Sequence, residues 1–281
     1  MRIRFDGKRQ FWLVLVAILF VAASLVFEVP LNQATLGVIL LCFACELLDS
    51  SLGMGYGTTL TPVLLACGFQ PLQLVPSVLF SEFLSGFASS YFHHDAGNVD
   101  FSRRARDSRI ALLLALGSVV GVAVGVTFAV KLPAFYLRLV IGVIITLAGV
   151  VIWITHQRTF AYKTWKMFTL ASIASFNKAL SGGGYGPLMT SGQVLSGIRG
   201  KASVGITSFA EGFTCLVGVI LFVGQGQGFT ASLLVPMVAG ALLSIPFSTE
   251  FVRHTNELAL KRLIAGFTIL LGLFTIYKVI D

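Results

Sequence analysis

The chain has 281 residues, 56% of them hydrophobic and only 11% charged. Soluble domains are roughly a quarter charged, so the composition excludes a soluble globular protein and describes an integral membrane protein with no room for a separate soluble domain. The formal charge of +8 is a topology signal and not a nucleic-acid surface, because the basic residues concentrate in short loops between apolar runs.

In chain order, RIRFDGKRQ precedes an apolar run at 11–27. That run is longer than the core of a secretory signal and no clear small-residue cleavage site follows, so residues 1–34 read as a basic N-terminus and a retained spanning helix. The next run, 36–69, is interrupted by GMGYG at Gly53–Gly57. Cys42 and Cys45 form a CxxC ahead of it, but with no second pair and no nearby histidine they read as buried apolar filler. No metal and no cofactor is expected. Spans follow at 71–92, 109–130 and 133–155, with a basic loop at 93–108 in which His93 and His94 read as surface residues. A linker at 156–165 carries His156, Arg158 and Lys163. The run 166–197 is interrupted by GGGYG at Gly182–Gly186, and apolar runs at 201–224, 229–252 and 258–280 close the chain. Trp12, Trp153 and Trp165 sit at segment ends, as interfacial anchors do.

The two halves are similar. From Gly53 to Gly182 the offset is 129, and the same offset carries Phe80-Ser81-Glu82 onto Phe209-Ala210-Glu211 and Gly68 onto Gly197. Further on, LRLVIGVIITLAG (Leu137–Gly149) resembles KRLIAGFTILLGL (Lys261–Leu273), pairing Arg138 with Arg262 at an offset of 124. The chain therefore reads as two copies of one unit, 35–155 and 166–281, behind an extra helix. Placing the basic N-terminus and the loop 93–108 both in the cytoplasm requires 36–69 to enter and leave on one side, as a re-entrant pair of half-helices. Arg199 and Lys201 after the second interruption, and Arg253, Lys261 and Arg262 later, extend the argument. The expectation is an all-α membrane protein of seven spans and two re-entrant hairpins, its repeats inverted, its N-terminus inside and its C-terminus outside. A nine-span arrangement fits hydropathy alone nearly as well.

Inverted repeats with broken helices are a secondary-transporter architecture, with substrate held near the midplane. Irregular backbone at that depth occurs only where it is buried in protein or lines a cavity. The two glycine turns are therefore expected to meet as hairpin tips. Free N–H groups and hydroxyls after each turn suit a small anion, giving Gly55, Tyr56, Gly57, Thr58 and Thr59 on one side and Gly183, Gly184, Tyr185, Gly186 and Thr190 on the other. Pro187 suits a helix start. Ionisable residues inside spans are functional candidates. Lys178, one turn before Gly182, can neutralise a bound anion or pair with its repeat counterpart Asp49. Glu46 lies near the mouth of the site. Glu82 and Glu211, at equivalent positions, can carry a proton or hydrogen-bond the hairpin backbone. The alternative reading of the glycines is close helix packing alone. The partners expected are a small anion and membrane lipid, with a homodimer left open and no nucleic acid.

The paired glycine turns, the Gly117, Gly121, Gly125 helix and the LR-[LR]-x₂-G segments resemble the TauE/SafE family of sulfite exporters over essentially residues 35–280. The resemblance implies a bacterial inner-membrane carrier for sulfite, sulfonates such as sulfoacetate, thiosulfate or related small organic anions. By motif position it implies Gly53, Gly55, Gly57, Gly182, Gly183, Gly184 and Gly186 as substrate-turn residues. The first turn departs from the usual glycine-rich form in carrying Met54 and Tyr56. A K⁺-type channel is the rival suggested by the two GYG triplets, but Thr-Val precedes neither and Lys178 would repel a cation. No span contains a histidine and no G-x-S-x-G or H-E-x-x-H motif occurs, which argues against an enzyme.

Overall fold

The computed structural model describes residues 7–103, 105–155 and 163–251, with 266, 269–270, 273–274 and 276–277 beyond them. Most of the expected last span at 258–280, with Arg253, Lys261 and Arg262, lies outside the described residues, as do residues 1–6, Arg104 and most of the linker. The described helices are α1 (Gly7–Val26), α2 (Gln33–Leu52), α3 (Tyr56–Ala66), α4 (Pro71–Asp95), α5 (Arg106–Lys131), α6 (Ala134–Thr155), α7 (Thr164–Ser181), α8 (Tyr185–Leu195), α9 (Gly200–Gly224) and α10 (Ala231–Phe251). Among the described residues there is no strand. Six helices among the described residues, α1, α2, α4, α5, α9 and α10, are long and apolar enough to cross a membrane.

Helix ends follow local chemistry. Asn32 caps α2 by accepting the Thr35 N–H at 2.9 Å, and Pro71 opens α4 where its missing N–H costs nothing. Gly53 and Gly182 take the left-handed conformation (φ +66° and +72°) and return their N–H groups to the carbonyls of Asp49 and Lys178, ending α2 and α7. Each break spans three residues before a helix of 11 residues begins. The two arms of each interrupted segment are unequal, 20 and 11 residues in the first and 18 and 11 in the second. At 20 residues, α2 is about 30 Å long at the helical rise, and its short return arm is little more than half of that. Pro187 does not open α8, which starts two residues earlier at Tyr185. It falls in the first turn, where a proline still removes no intrahelical bond.

Contacts at the helix ends sort the bundle into two faces. Lys8 pairs with Asp95 at 2.7 Å and Arg199 approaches Asp107 at 3.9 Å, so the starts of α1, α5 and α9 and the end of α4 share one face. At the other face Arg138, near the start of α6, donates to Gln70 at 2.9 Å, just before α4. In the connection between α4 and α5, Asp100 accepts the Ser102 N–H at 2.8 Å, which holds its carboxyl below the usual carboxylate range. His93 is not a surface residue. Helix α4 continues past it to Asp95, and the buried ring bonds the Ser50 carbonyl through Nε2 at 2.7 Å while Nδ1 meets the Asn98 amide at 3.0 Å. His94 beside it is exposed.

Small residues set the helix contacts. Along α5, Gly117 lies against Phe168 and Ala171, Gly121 against the Ser172 carbonyl and Gly125 against Phe176 and Ala179, so α5 and α7 run parallel. Ser172 Oγ donates across to the Gly117 carbonyl at 2.7 Å. Helix α10 lies on α2 in the same sense, with Gly240 against Ile39, Phe247 against Phe43 and the Ser248 carbonyl accepting from Ser51. Helices α4 and α9 run antiparallel, Leu79 meeting Gly218, Gly86 meeting Ser208 and Gly212, and His93 meeting Gly205. Helix α1 stands outside this core, burying only Val16 and Ser24 and leaving an apolar groove against α4 and α10. A Cβ on Gly121 would collide with the Ser172 carbonyl, a backbone atom that cannot turn aside. Gly121→Ala should therefore cost about 1–3 kcal/mol, read as a lowered Tm of the detergent-solubilised protein. Gly37→Ala on α2, which has open space, should leave Tm unchanged or raise it.

Candidate functional site

The two glycine turns meet. A Cβ on Gly57 would strike the Gly182 carbonyl and the Gly183 Cα, one on Gly183 would strike the Thr58 N and the Gly57 carbonyl carbon, and one on Gly186 would strike the Gly53 carbonyl. Backbone thus lies on backbone, and only glycine permits it. Thr190 fastens the contact, its Oγ1 donating to the Gly53 carbonyl at 2.7 Å and bonding Thr207 at 3.0 Å. Gln193 adds a 2.7 Å bond to Thr207. The turns do not leave an open chamber between them. Two N–H groups from this region are also occupied: Tyr56 N–H donates to Asp49 Oδ1 at 3.2 Å and Gly183 N–H to Ser181 Oγ at 3.1 Å.

Both tyrosines of the GYG triplets are fully buried. Tyr56 bonds Ser81 of α4 at 2.8 Å, and Tyr185 bonds Ser118 of α5 at 3.0 Å. They anchor the short arms to long helices. Thr58 and Thr61 are buried on α3, and neither hydroxyl has a partner. Thr61 Oγ1 faces the Gly182 Cα, next to Val78 of α4. Thr59 is only half-buried.

Beside the turns lies a buried charge cluster. Glu82 and Glu211 each sit at the midpoint of a 25-residue helix, and Gly86 against Ser208 and Gly212 lets those helices approach closely. Lys178 reaches both carboxylates, pairing with Glu82 Oε2 and with Glu211 Oε1 at 2.8 Å. All three side chains are no more than 5% exposed. The alternative Asp49–Lys178 pairing gives way to this triad, and Asp49 accepts from the Tyr56 N–H instead. Glu46 is not at a mouth. It is 1% exposed and accepts from Ser50 at 2.6 Å and Ser85 at 3.0 Å. Glu82 Oε1 has no hydrogen-bond partner. No group of His, Cys, Asp and Glu suited to a metal occurs among the described residues, and Cys42, Cys45 and Cys215 are buried free thiols.

A family model described as "Sulfite exporter TauE/SafE" matches residues 38–275. The chain belongs to the TauE/SafE family. It is also similar to "Probable membrane transporter protein YtnM" of Bacillus subtilis (strain 168), 27% identical over 246 residues that cover 82% of this chain and 79% of the relative. No solved structure matches. Both similarities are to transporters and not to an enzyme.

In this TauE/SafE transporter the structure brings together Gly57, Gly183, Gly186 and Thr190 at the turns, and Lys178, Glu82 and Glu211 beside them. Sequence reasoning missed the Thr190–Thr207–Gln193 network and the His93–Ser50 bond. The spacing of Gln193 three residues after Thr190, on the same helical face, was the available signal for the first. Thr190→Val leaves the Gly53 carbonyl without its donor. A loss of about 1–3 kcal/mol is expected, measured as a drop in Tm, with Thr59→Val on the half-buried face giving a much smaller change.

Proposed function

We propose that this transporter exports a small sulfur-containing anion, sulfite or an organosulfonate such as sulfoacetate, held beside Lys178 where the two glycine-broken helices meet. The observation that carries the reading is one buried ammonium within a helical turn of the Gly182 break, with the unpartnered hydroxyls of Thr58 and Thr61 next to that break. An ammonium and two hydroxyls are donors, which is what an oxyanion requires. The description of the matching family supports the substrate class. Gly57, Gly183 and Gly186 then act by letting backbone approach backbone at membrane depth, Gly55 and Gly184 by taking the positive φ of the turns (+135° and +82°), and Tyr56 and Tyr185 by holding the short arms in place.

We read the chain as two inverted repeats, each a re-entrant hairpin and three spans, behind an extra helix. Several contacts support this. Helix α7 parallels α5 and α9 starts beside Asp107, so the segment from α7 through α8 begins and ends at one face. Helix α2 parallels α10, whose start follows the end of α9 at the other face, and α4 starts there too. The first face carries Lys8, Arg9, Arg103, Arg106, Arg199 and Lys201, and the positive-inside rule makes it cytoplasmic. On this reading the N-terminus lies on the cytoplasmic side of a bacterial inner membrane. An inside-negative potential favours efflux of net negative charge by about 2.3 kcal/mol per charge per 100 mV, so the potential drives export wherever the transported species carries net negative charge.

The test is anion flux in proteoliposomes. Wild type should carry sulfite and sulfoacetate, and Lys178→Met should lose at least tenfold. The substitution leaves two carboxylates unpaired in the interior, so the comparison is made on the monodisperse fraction. Thr61→Val, which removes a hydroxyl with no partner in the structure, should leave Tm near wild type and raise the apparent KM for sulfite several-fold. Unchanged flux in Lys178→Met together with unchanged KM in Thr61→Val would overturn the assignment.

A further inference from the structure

The anion site proposed above contains a conflict. Lys178 is its cation, yet two carboxylates already occupy that ammonium. The remaining ionisable groups around Glu82 make the conflict worse. From α2 come Glu46, bonded to Ser85 of α4, and Asp49, which accepts the Tyr56 N–H of α3, and from α9 come Glu211 and Cys215, while the Tyr185 hydroxyl of α8 is turned to Ser118 of α5. Cys215 Sγ lies 3.9 Å from Glu82 Oε2. The charged residue described on α6, Arg138, is turned to Gln70 at the start of α4. On α10 the ionisable residue is Glu250, at the far end of that helix. Among the described residues Lys178 is thus the one cation of the cluster, against the carboxyls of Glu46, Asp49, Glu82 and Glu211. An anion added to it would bury still more negative charge, which the interior resists.

One oxygen resolves this. Glu82 Oε1 is buried and has no hydrogen-bond partner, whereas Oε2 of the same carboxyl holds Lys178. An unsatisfied carboxylate oxygen in the interior is costly as an anion, and it is the free position at which the group can take a proton. Glu46, by contrast, has both oxygens bonded to serine hydroxyls.

We propose that Glu82 carries a proton together with the anion, so that substrate reaches Lys178 only as Glu82 is protonated on Oε1 and releases its half of the ion pair. The exchange balances. The Glu82–Lys178 pair breaks, a neutral carboxylic acid forms, and the ion pair between Lys178 and the substrate oxyanion replaces it. A monoanion and a proton enter as a neutral sum, so the net charge of the cluster does not change. Anion and proton then move in the same direction. For a sulfonate monoanion the movement is electroneutral and its direction follows the combined anion and proton gradients. For the sulfite dianion one negative charge remains, and the membrane potential still favours efflux.

This inference rests on the anion site at Lys178, and the experiment separates the two. Proteoliposomes containing a pH-sensitive dye are loaded with isethionate, a sulfonate monoanion that does not titrate near neutrality. Wild type should move one proton with each isethionate, and its apparent affinity should rise up to tenfold for each pH unit of acidification while Glu82 titrates, as linkage of one proton requires. In Glu82→Gln the side chain is permanently neutral, so proton movement and pH dependence should both disappear from the remaining flux. Glu211→Gln should keep both. Wild-type flux with no accompanying proton would overturn the inference, and this count decides alone if Glu82→Gln does not fold. Proton coupling lost in Glu211→Gln and kept in Glu82→Gln would overturn it equally. No isethionate or sulfite flux at all in wild type would instead remove the anion site itself.

Discussion

A lysine in the middle of a membrane protein must be neutralised where it stands, and the rest of this fold follows from how that is done. Lys178 lies one helical turn before the Gly182 break and is paired by carboxylates from two other helices. For both carboxylates to reach it, α4 and α9 must cross closely at their midpoints, which the small residues Gly86, Ser208 and Gly212 allow. Helix α7 must lie in the angle between them, and Gly117, Gly121 and Gly125 of α5 let it in from behind. Removing one member of such a buried group leaves an unpaired charge, at a cost of about 3–5 kcal/mol. The triad is therefore an architectural element as much as a chemical one.

The second constraint is the meeting of the two turns. A helix that stops inside a membrane leaves polar backbone groups that lipid cannot satisfy. Here each turn is covered by the other, and the exposed groups are met by Asp49, Ser181 and Thr190. This explains why glycine is needed on both sides of the contact. It also means that substrate cannot lie between the turns in this conformation. The hydroxyls left free are those of Thr58 and Thr61, on the edge of the contact. In the mechanism proposed above, an anion loaded there would leave the glycine seam intact and ask only for a rearrangement of the charges around Lys178.

Much of this was legible in the sequence, because glycine runs and ionisable residues are rare in apolar chains and stand out. The helix breaks after Leu52 and Ser181 fall where the glycine motifs placed them, and the offset of 129 carries the starts of α3 and α4 onto those of α8 and α9. Side-chain partnerships were less legible. Pairing Asp49 with Lys178 treated repeat counterparts as spatial partners, but equivalence in sequence does not bring two residues together. Glu82 and Glu211 reach Lys178 because two long helices cross there, a tertiary fact with no local signature. His93 was misplaced because a polar cluster was taken to end the helix one residue too early for its burial to be seen. The unequal lengths of the two arms at each break were not legible, because a glycine break marks where a helix stops, and the length of the arm before it depends on where the connecting loop lies.

The departures from repeat symmetry say most about the chemistry. Glu82 and Glu211 are the same residue at equivalent positions, and Tyr56 and Tyr185 are equivalent as well. The counterpart of Asp49 is Lys178, and the counterpart of Ser81 is Ala210. If both copies carried aspartate, the cluster would be wholly acidic and would attract cations. Replacing one aspartate by lysine adds two units of positive charge relative to the symmetric pair, at a place where the low dielectric makes each unit count heavily. In the mechanism proposed above, that positive charge becomes available to a substrate only when a neighbouring carboxyl gives up its own, so the acidic residues would set the condition for anion entry and Lys178 would make it possible. Tyr185, with no serine at position 210 to bond, turns instead to Ser118 of α5, so the second short arm is held by a different helix from the first.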